Sequence, residues 1–274
     1  MKLRYLYPHW GSESLSCSDY FKIVEQEGFD GIEINIPMEP NFQRDLLQSI
    51  QHQRKSKTDF LFVAQQVLGL QKETPEEYLQ RALQRLEFIA QFQPDFINSH
   101  TGKDHYSFSD NCRIIEALEE FSVQCGIPIY HEIHRGRFTF HSTTTLNYLE
   151  IFPKLKFVGD FSHWCVVSES LLQDQEEVIE KIAPNIYHLH ARIGTEQASQ
   201  VNHPFAPEWK EHLDRYLIIW KQVLSHHSDK IEFSITPEFG PFPYMPQSPF
   251  DQKPLSNQQQ INIEMKNYLK TNLL

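Results

Sequence analysis

The chain has 274 residues, with 36 acidic against 25 basic side chains and a net charge of −11. That balance excludes the broad positive field that a phosphate backbone needs, so no nucleic-acid partner is expected. Hydrophobic residues at 40% and aromatics at 13% supply a sizeable core, which excludes disorder for the chain as a whole.

The four cysteines, Cys17, Cys112, Cys125 and Cys165, form no CxxC pair. They read as reduced thiols, which points to a cytoplasmic protein. The segment Met1–His9 has no apolar core of the signal-peptide kind. No apolar run approaches the roughly 18 residues of a membrane span, so no membrane partner is expected. A homo-oligomer is left open.

Short apolar runs alternate with longer amphipathic ones along the whole chain. The expected strands are 3–7, 31–36, 59–65, 95–98, 127–130, 155–160, 186–190 and 231–236. The sixth is expected to continue into Phe161-Ser162-His163-Trp164. Helices are expected over 18–27, capped by Ser18 and stopped by Gly28, and over 41–53. Thr74-Pro75-Glu76-Glu77 reads as a capped start for a helix to Phe92. Further helices are expected over 109–124, 143–152, 169–183, 208–225 and 257–268. Eight strands alternating with eight helices predict one (β/α)8 TIM barrel spanning 1–274 as a single domain. A doubly wound open sheet is the runner-up, but no Gly-rich phosphate fingerprint opens a helix.

In such a barrel the carboxyl ends of all strands converge on one face, where active sites are built. Those ends carry His9, Glu33, Asn35, Gln65, His100, Glu132, His134, Asp160, His163, His188, His190 and Glu238. The densest stretch is His131-Glu132-Ile133-His134-Arg135-Gly136-Arg137, directly after an apolar strand. Two glutamates, an aspartate and a histidine suit one divalent metal ion: Mn²⁺, Mg²⁺, Co²⁺ or Zn²⁺. A structural zinc site would favour thiolates instead.

With Glu132 at strand five, Asp160-Phe161-Ser162-His163 at strand six, His188-Leu189-His190 at strand seven and Glu238 at strand eight, the chain resembles the xylose-isomerase-like barrel superfamily. That group holds sugar and sugar-phosphate isomerases and epimerases, family-two AP endonucleases and some dehydratases. The resemblance implies Glu132, Asp160, His190 and Glu238 as metal ligands, with His163 beside the ion and bonded to substrate. His188 is expected as a core histidine bonded to a neighbouring strand. It further implies an isomerase or epimerase of a ketose or sugar phosphate, with Glu132 and Glu238 as base and acid across the sugar. His100, Arg135, Arg137 and Arg192 are the remaining expected substrate contacts, the arginines holding a carboxylate or phosphate.

A dehydratase acting on a cyclic keto acid or inosose needs the same metal and base, and is the alternative. A trinuclear AP endonuclease is disfavoured. Its strand-three histidine is replaced by Gln65-Gln66, and its Asp-x-His after strand seven by Asn202-His203.

Overall fold

Every apolar run expected as a strand forms one, and the eight lie parallel in a closed barrel ordered β1 to β8. The computed structural model describes residues 1–273. The strands are β1 (Lys2–Pro8), β2 (Gly31–Ile34), β3 (Leu61–Gln66), β4 (Phe96–Ser99), β5 (Ile129–Glu132), β6 (Phe157–Gly159), β7 (Ile186–His190) and β8 (Glu232–Thr236). Pairing of β1 with β8, Leu3 opposite Phe233, closes the ring. The protein is therefore a (β/α)8 barrel.

The helices are α1 (Cys17–Gln26), α2 (Pro40–Ser56), α3 (Pro75–Ala90), α4 (Phe108–Cys125), α5 (Ser142–Ile151), α6 (Phe161–Ser168), α7 (Glu176–Ile182), α8 (Lys210–Ser225) and α9 (Gln258–Asn272). Helix α3 shows how sequence makes the outer layer. Thr74 and Glu77 close a reciprocal capping box, and Pro75 sits in the first turn where its missing N–H costs nothing. Tyr78, Ala82, Leu86 and Ile89 then recur on the face that packs on the sheet.

Three local expectations change. Ser16, not Ser18, caps α1, its hydroxyl accepting from Asp19 N at 3.1 Å. The segment after β6 is the helix α6, not an extension of the strand. Asp160 initiates it by accepting from Ser162 N at 3.1 Å, which turns the chain at once. The helix expected over 169–183 is then only its second half, α7. Glu169 and Leu172 adopt positive φ of 47° and 59° and break the helical path.

The barrel has two apolar layers. The larger lies between strands and helices. The smaller joins Leu6 of β1, Val63 of β3 and Phe96 of β4. These strands are not all neighbours, so the contact runs through the barrel interior. Above this plug lie polar side chains, and below it the interior closes on Arg4. Arg4 is 2% exposed and bonds Asp59 through both the side chain and the backbone carbonyl, with Glu232 at 3.5 Å and Asp30 at 3.8 Å. Replacing it leaves a void under the plug and unpairs carboxylates that are themselves partly hydrated. Arg4→Ala is expected to lower unfolding stability by about 2 kcal/mol. Urea denaturation checks this: a lower midpoint at unchanged slope is expected, and an unmoved midpoint contradicts it.

Candidate metal centre and cavity

Strand register sets the polar layer at the mouth of the barrel. Glu33 of β2 is fully buried and accepts five hydrogen-bonding groups. Thr236 Oγ1 donates at 2.5 Å, Asn98 Nδ2 at 2.9 Å and Gln65 Nε2 at 3.1 Å. His190 Nε2 lies 3.0 Å and His188 Nε2 3.2 Å from its two oxygens. Burial alone would push this carboxyl up. His190 and His188 outweigh it and hold Glu33 well below the usual carboxylate range, so it stays ionised.

The two amides each serve a second carboxylate. Asn98 Nδ2 also donates to Glu132 at 2.7 Å, and Gln65 Nε2 to Glu238 at 3.0 Å. Gln65 and Asn98 are paired in register across β3 and β4, so Glu132 and Glu238 are anchored through one shared base. His188, as expected, is a core histidine: Nδ1 is 2.7 Å from Ser234 Oγ and Nε2 3.0 Å from Thr236 Oγ1 of the adjacent strand.

Glu132, Asp160, His190 and Glu238 come together in one buried group, one donor atom from each lying within 4.8 Å of the others. With its Nε2 proton given to Glu33, His190 turns Nδ1 toward Glu238 at 2.9 Å and Glu132 at 3.9 Å. That Nδ1 is buried and makes no well-formed hydrogen bond. Burial opposes charge on this ring, but Glu238, Glu33 and Glu132 outweigh it and raise its pKa well above the ordinary value. Glu132 is likewise held far below the carboxylate range, His100 and His190 overcoming burial.

Two neighbouring groups have metal-like spacing, Glu33 with His188 and His190, and His100 with Glu132 and His134. In the first both imidazoles are already donors to the carboxylate. In the second, Arg137 Nη2 lies 3.3 Å from His100 Nδ1 and can only donate, so the ring keeps its proton on Nε2, 3.0 Å from Glu132. That nitrogen has no lone pair to give an ion.

Above the carboxylates opens a cavity of about 470 Å³. His100, His134 and His163 form one wall, their rings 4.5 and 4.0 Å apart. Burial, then the adjoining rings and arginines, lower the pKa of His134 and His163 well below the ordinary value, so both are neutral. Arg192 Nη2 lies 3.1 Å from His163 Nε2, which leaves the His163 proton on Nδ1, buried and without an acceptor. Trp10 and Tyr244 form the other wall, ring centroids 4.9 Å apart. Trp10 stands directly on Gly240, where a Cβ would lie 2.1 Å from the indole.

The arginines are placed differently from expectation. Arg192 lines the cavity, bonded to Asp160 and 3.5 Å from Glu238, with Tyr244 stacked 4.7 Å from its guanidinium. Arg135 donates to Ser199 at 2.8 Å and lies over Tyr244, outside the lining. A turn closed by Arg137 N donating to His134 O sends the Arg137 side chain behind His100. Arg135 and Arg137 thus back the walls of the cavity and are not part of its lining. The role of Asn98 was missed. Its signal was an amide inside the apolar run Phe96-Ile97, where a buried polar group needs partners.

Glu33→Ala removes the acceptor of two imidazoles and two amides at once. It is expected to cost about 3 kcal/mol in unfolding stability. Thermal and urea denaturation test this, and a variant as stable as the parent contradicts the anchoring role.

No family model and no curated protein matches the chain. Solved structures do. The probable 3-DHS dehydratase AsbF of Bacillus anthracis, involved in petrobactin synthesis, is 19% identical, with a TM-score of 0.63 and 99% of each chain covered. The 3-keto-D-glucoside 4-epimerase of E. coli is 12% identical, TM-score 0.62, covering 98% of this chain and 100% of that one. A xylose isomerase-like TIM-barrel protein of Mycobacterium smegmatis in complex with magnesium is 11% identical, TM-score 0.61, covering 99% and 98%. At these identities the likeness establishes the fold alone, a closed (β/α)8 barrel over nearly the whole chain.

Proposed function

We propose that this protein is a divalent-metal-dependent isomerase or epimerase acting on the carbonyl form of a sugar. The observation that carries the proposal is His190 Nδ1. It is a buried nitrogen without a hydrogen bond, surrounded by three carboxylates that favour positive charge at that spot. Glu132, Asp160, Glu238 and His190 would hold the ion, three hard oxygens and one imidazole. The Glu33 carboxylate behind His190 fixes the ring in the tautomer a ligand needs. A divalent ion at this place polarises a carbonyl and stabilises the negative charge that develops when an adjacent C–H is deprotonated.

The chain's own groups supply the rest. Glu132 and Glu238 leave strands on different sides of the mouth, and both line the cavity. One takes a proton from the carbon next to the carbonyl, and the other returns one from the opposite side. Gln65 and Asn98 hold the two carboxylates in place. His163 offers its unpaired Nδ1–H to a substrate oxygen, and His100 donates to Glu132. The imidazole wall excludes bulk water from one side of the site.

Fold likeness to an epimerase, a probable dehydratase and a barrel in complex with magnesium is in keeping with this reading. A dehydratase reading uses the same base and ion. On a cyclic keto acid it needs a cation for the acid group, and the arginine placement weakens that form of it; on an uncharged inosose it needs none.

Two outcomes are expected. Mn²⁺ or Mg²⁺ raises the melting temperature and excess chelator reverses the rise; Glu33→Gln weakens the ion's binding about 10- to 100-fold. Equal affinity in parent and variant would contradict the orienting role. In D₂O, metal-loaded protein incorporates solvent deuterium next to the carbonyl of a ketose. Glu132→Gln and Glu238→Gln each reduce that exchange by about 100-fold or more. A fully active Glu132→Gln protein would remove the acid/base assignment.

A further inference from the structure

We infer that the cavity selects an uncharged polyhydroxylated carbonyl compound, a free ketose or a keto-glycoside, over phosphorylated or carboxylated ones. The inference rests on the metal-dependent reading above and narrows its substrate class.

The charges that face the cavity carry it. Among the described residues that line it, Glu13, Glu132 and Glu238 are acidic and Arg192 is the one lysine or arginine. Asp160 and Glu33 lie buried directly beneath and add two more carboxylates. A divalent ion does not reverse that sign. Arg192 is also committed. It is 1% exposed, bonds Asp160 Oδ2, and lies 3.5 Å from Glu238. Gripping a phosphate would strip two buried carboxylates of their counter-ion, which is costly.

The nearby cations are occupied in the same way. Lys103 is buried against Glu73 at 3.1 Å. Arg137 is behind His100, and Arg135 is held by Ser199 and the face of Tyr244. Among the described residues, Arg192 is thus the one arginine or lysine that an anionic substrate tail meets at the wall, and it is already paired.

What the walls do offer suits hydroxyls. His134 and His163 present ring nitrogens that donate to or accept from hydroxyls. Opposite them the Trp10 indole lines the cavity and supplies an apolar aromatic surface for C–H groups.

The test is calorimetric titration of the Mn²⁺-loaded protein with D-fructose, D-tagatose, their 6-phosphates and 3-dehydroshikimate. Exchange into each compound in D₂O is followed in parallel. Tighter binding of a free ketose than of its phosphate, by about tenfold or more, is expected. Removing one lining charge in Glu13→Gln is expected to shrink that preference severalfold. Tightest binding of a phosphate or of the keto acid would overturn the inference and leave the metal-dependent chemistry standing. Binding of none of them would overturn it as well. A protein that retains no divalent ion in the same titration would instead remove the reading on which it rests. Glu13→Gln with the parent's discrimination would show that the lining charge does not set it.

Discussion

One buried carboxylate holds the mouth of this barrel together. Glu33 sits at the end of β2, fully excluded from solvent, and receives groups from β3, β4, β7 and β8. A lone ion in that place would be prohibitively unfavourable. Five partners make it tolerable, and they also make it directional. Three of the five spend a second hydrogen-bonding position, or a free nitrogen, on the layer above. Asn98 reaches Glu132, Gln65 reaches Glu238, and His190 turns Nδ1 into the carboxylate ring. The anchor therefore determines the geometry of a site that it does not itself enter. Such a network is cooperative, because removing its centre leaves every member short of a partner.

A second constraint is electrostatic. The layer gathers four acids and balances them internally through Arg192 and His190. Burial works against every one of these charges, so the balance is settled pairwise: His190 is driven toward its charged form while Glu33 is kept ionised. The imidazoles of His134 and His163, facing arginines and each other, go the other way and stay neutral. One mouth thus contains a charged floor and, at His134 and His163, neutral imidazoles in its wall. That division matches chemistry in which an ion and carboxylates act on a carbonyl while the remaining hydroxyls are read by neutral groups.

Much of this was legible in the sequence. Alternation of short apolar runs with amphipathic ones gave the barrel, because a strand buried on both faces can read as little else when a helical pattern follows it. The charged and imidazole residues at the strand ends stood out because a buried strand end cannot hold unpaired charge, and it was the family resemblance that singled out four of them. What the sequence did not reveal depends on side-chain direction. Arg135 and Arg137 sit two apart beside Glu132, yet a turn between them points one at Tyr244 and the other behind His100. The start of α6 was hidden because Phe161-Ser162-His163-Trp164 reads as an extended apolar run. Asp160 capping its own following turn overrides that propensity. Asn98 looked like an ordinary strand residue until its partners were in view.

The central claim is that a divalent ion binds among Glu132, Asp160, His190 and Glu238. Anomalous scattering from crystals of the protein grown with Mn²⁺ tests it most directly. A single strong peak bonded to those four side chains, with Glu33 still bonded to His190 Nε2, is the predicted result. No peak there, or a peak held instead by His100 and His134, would contradict the account.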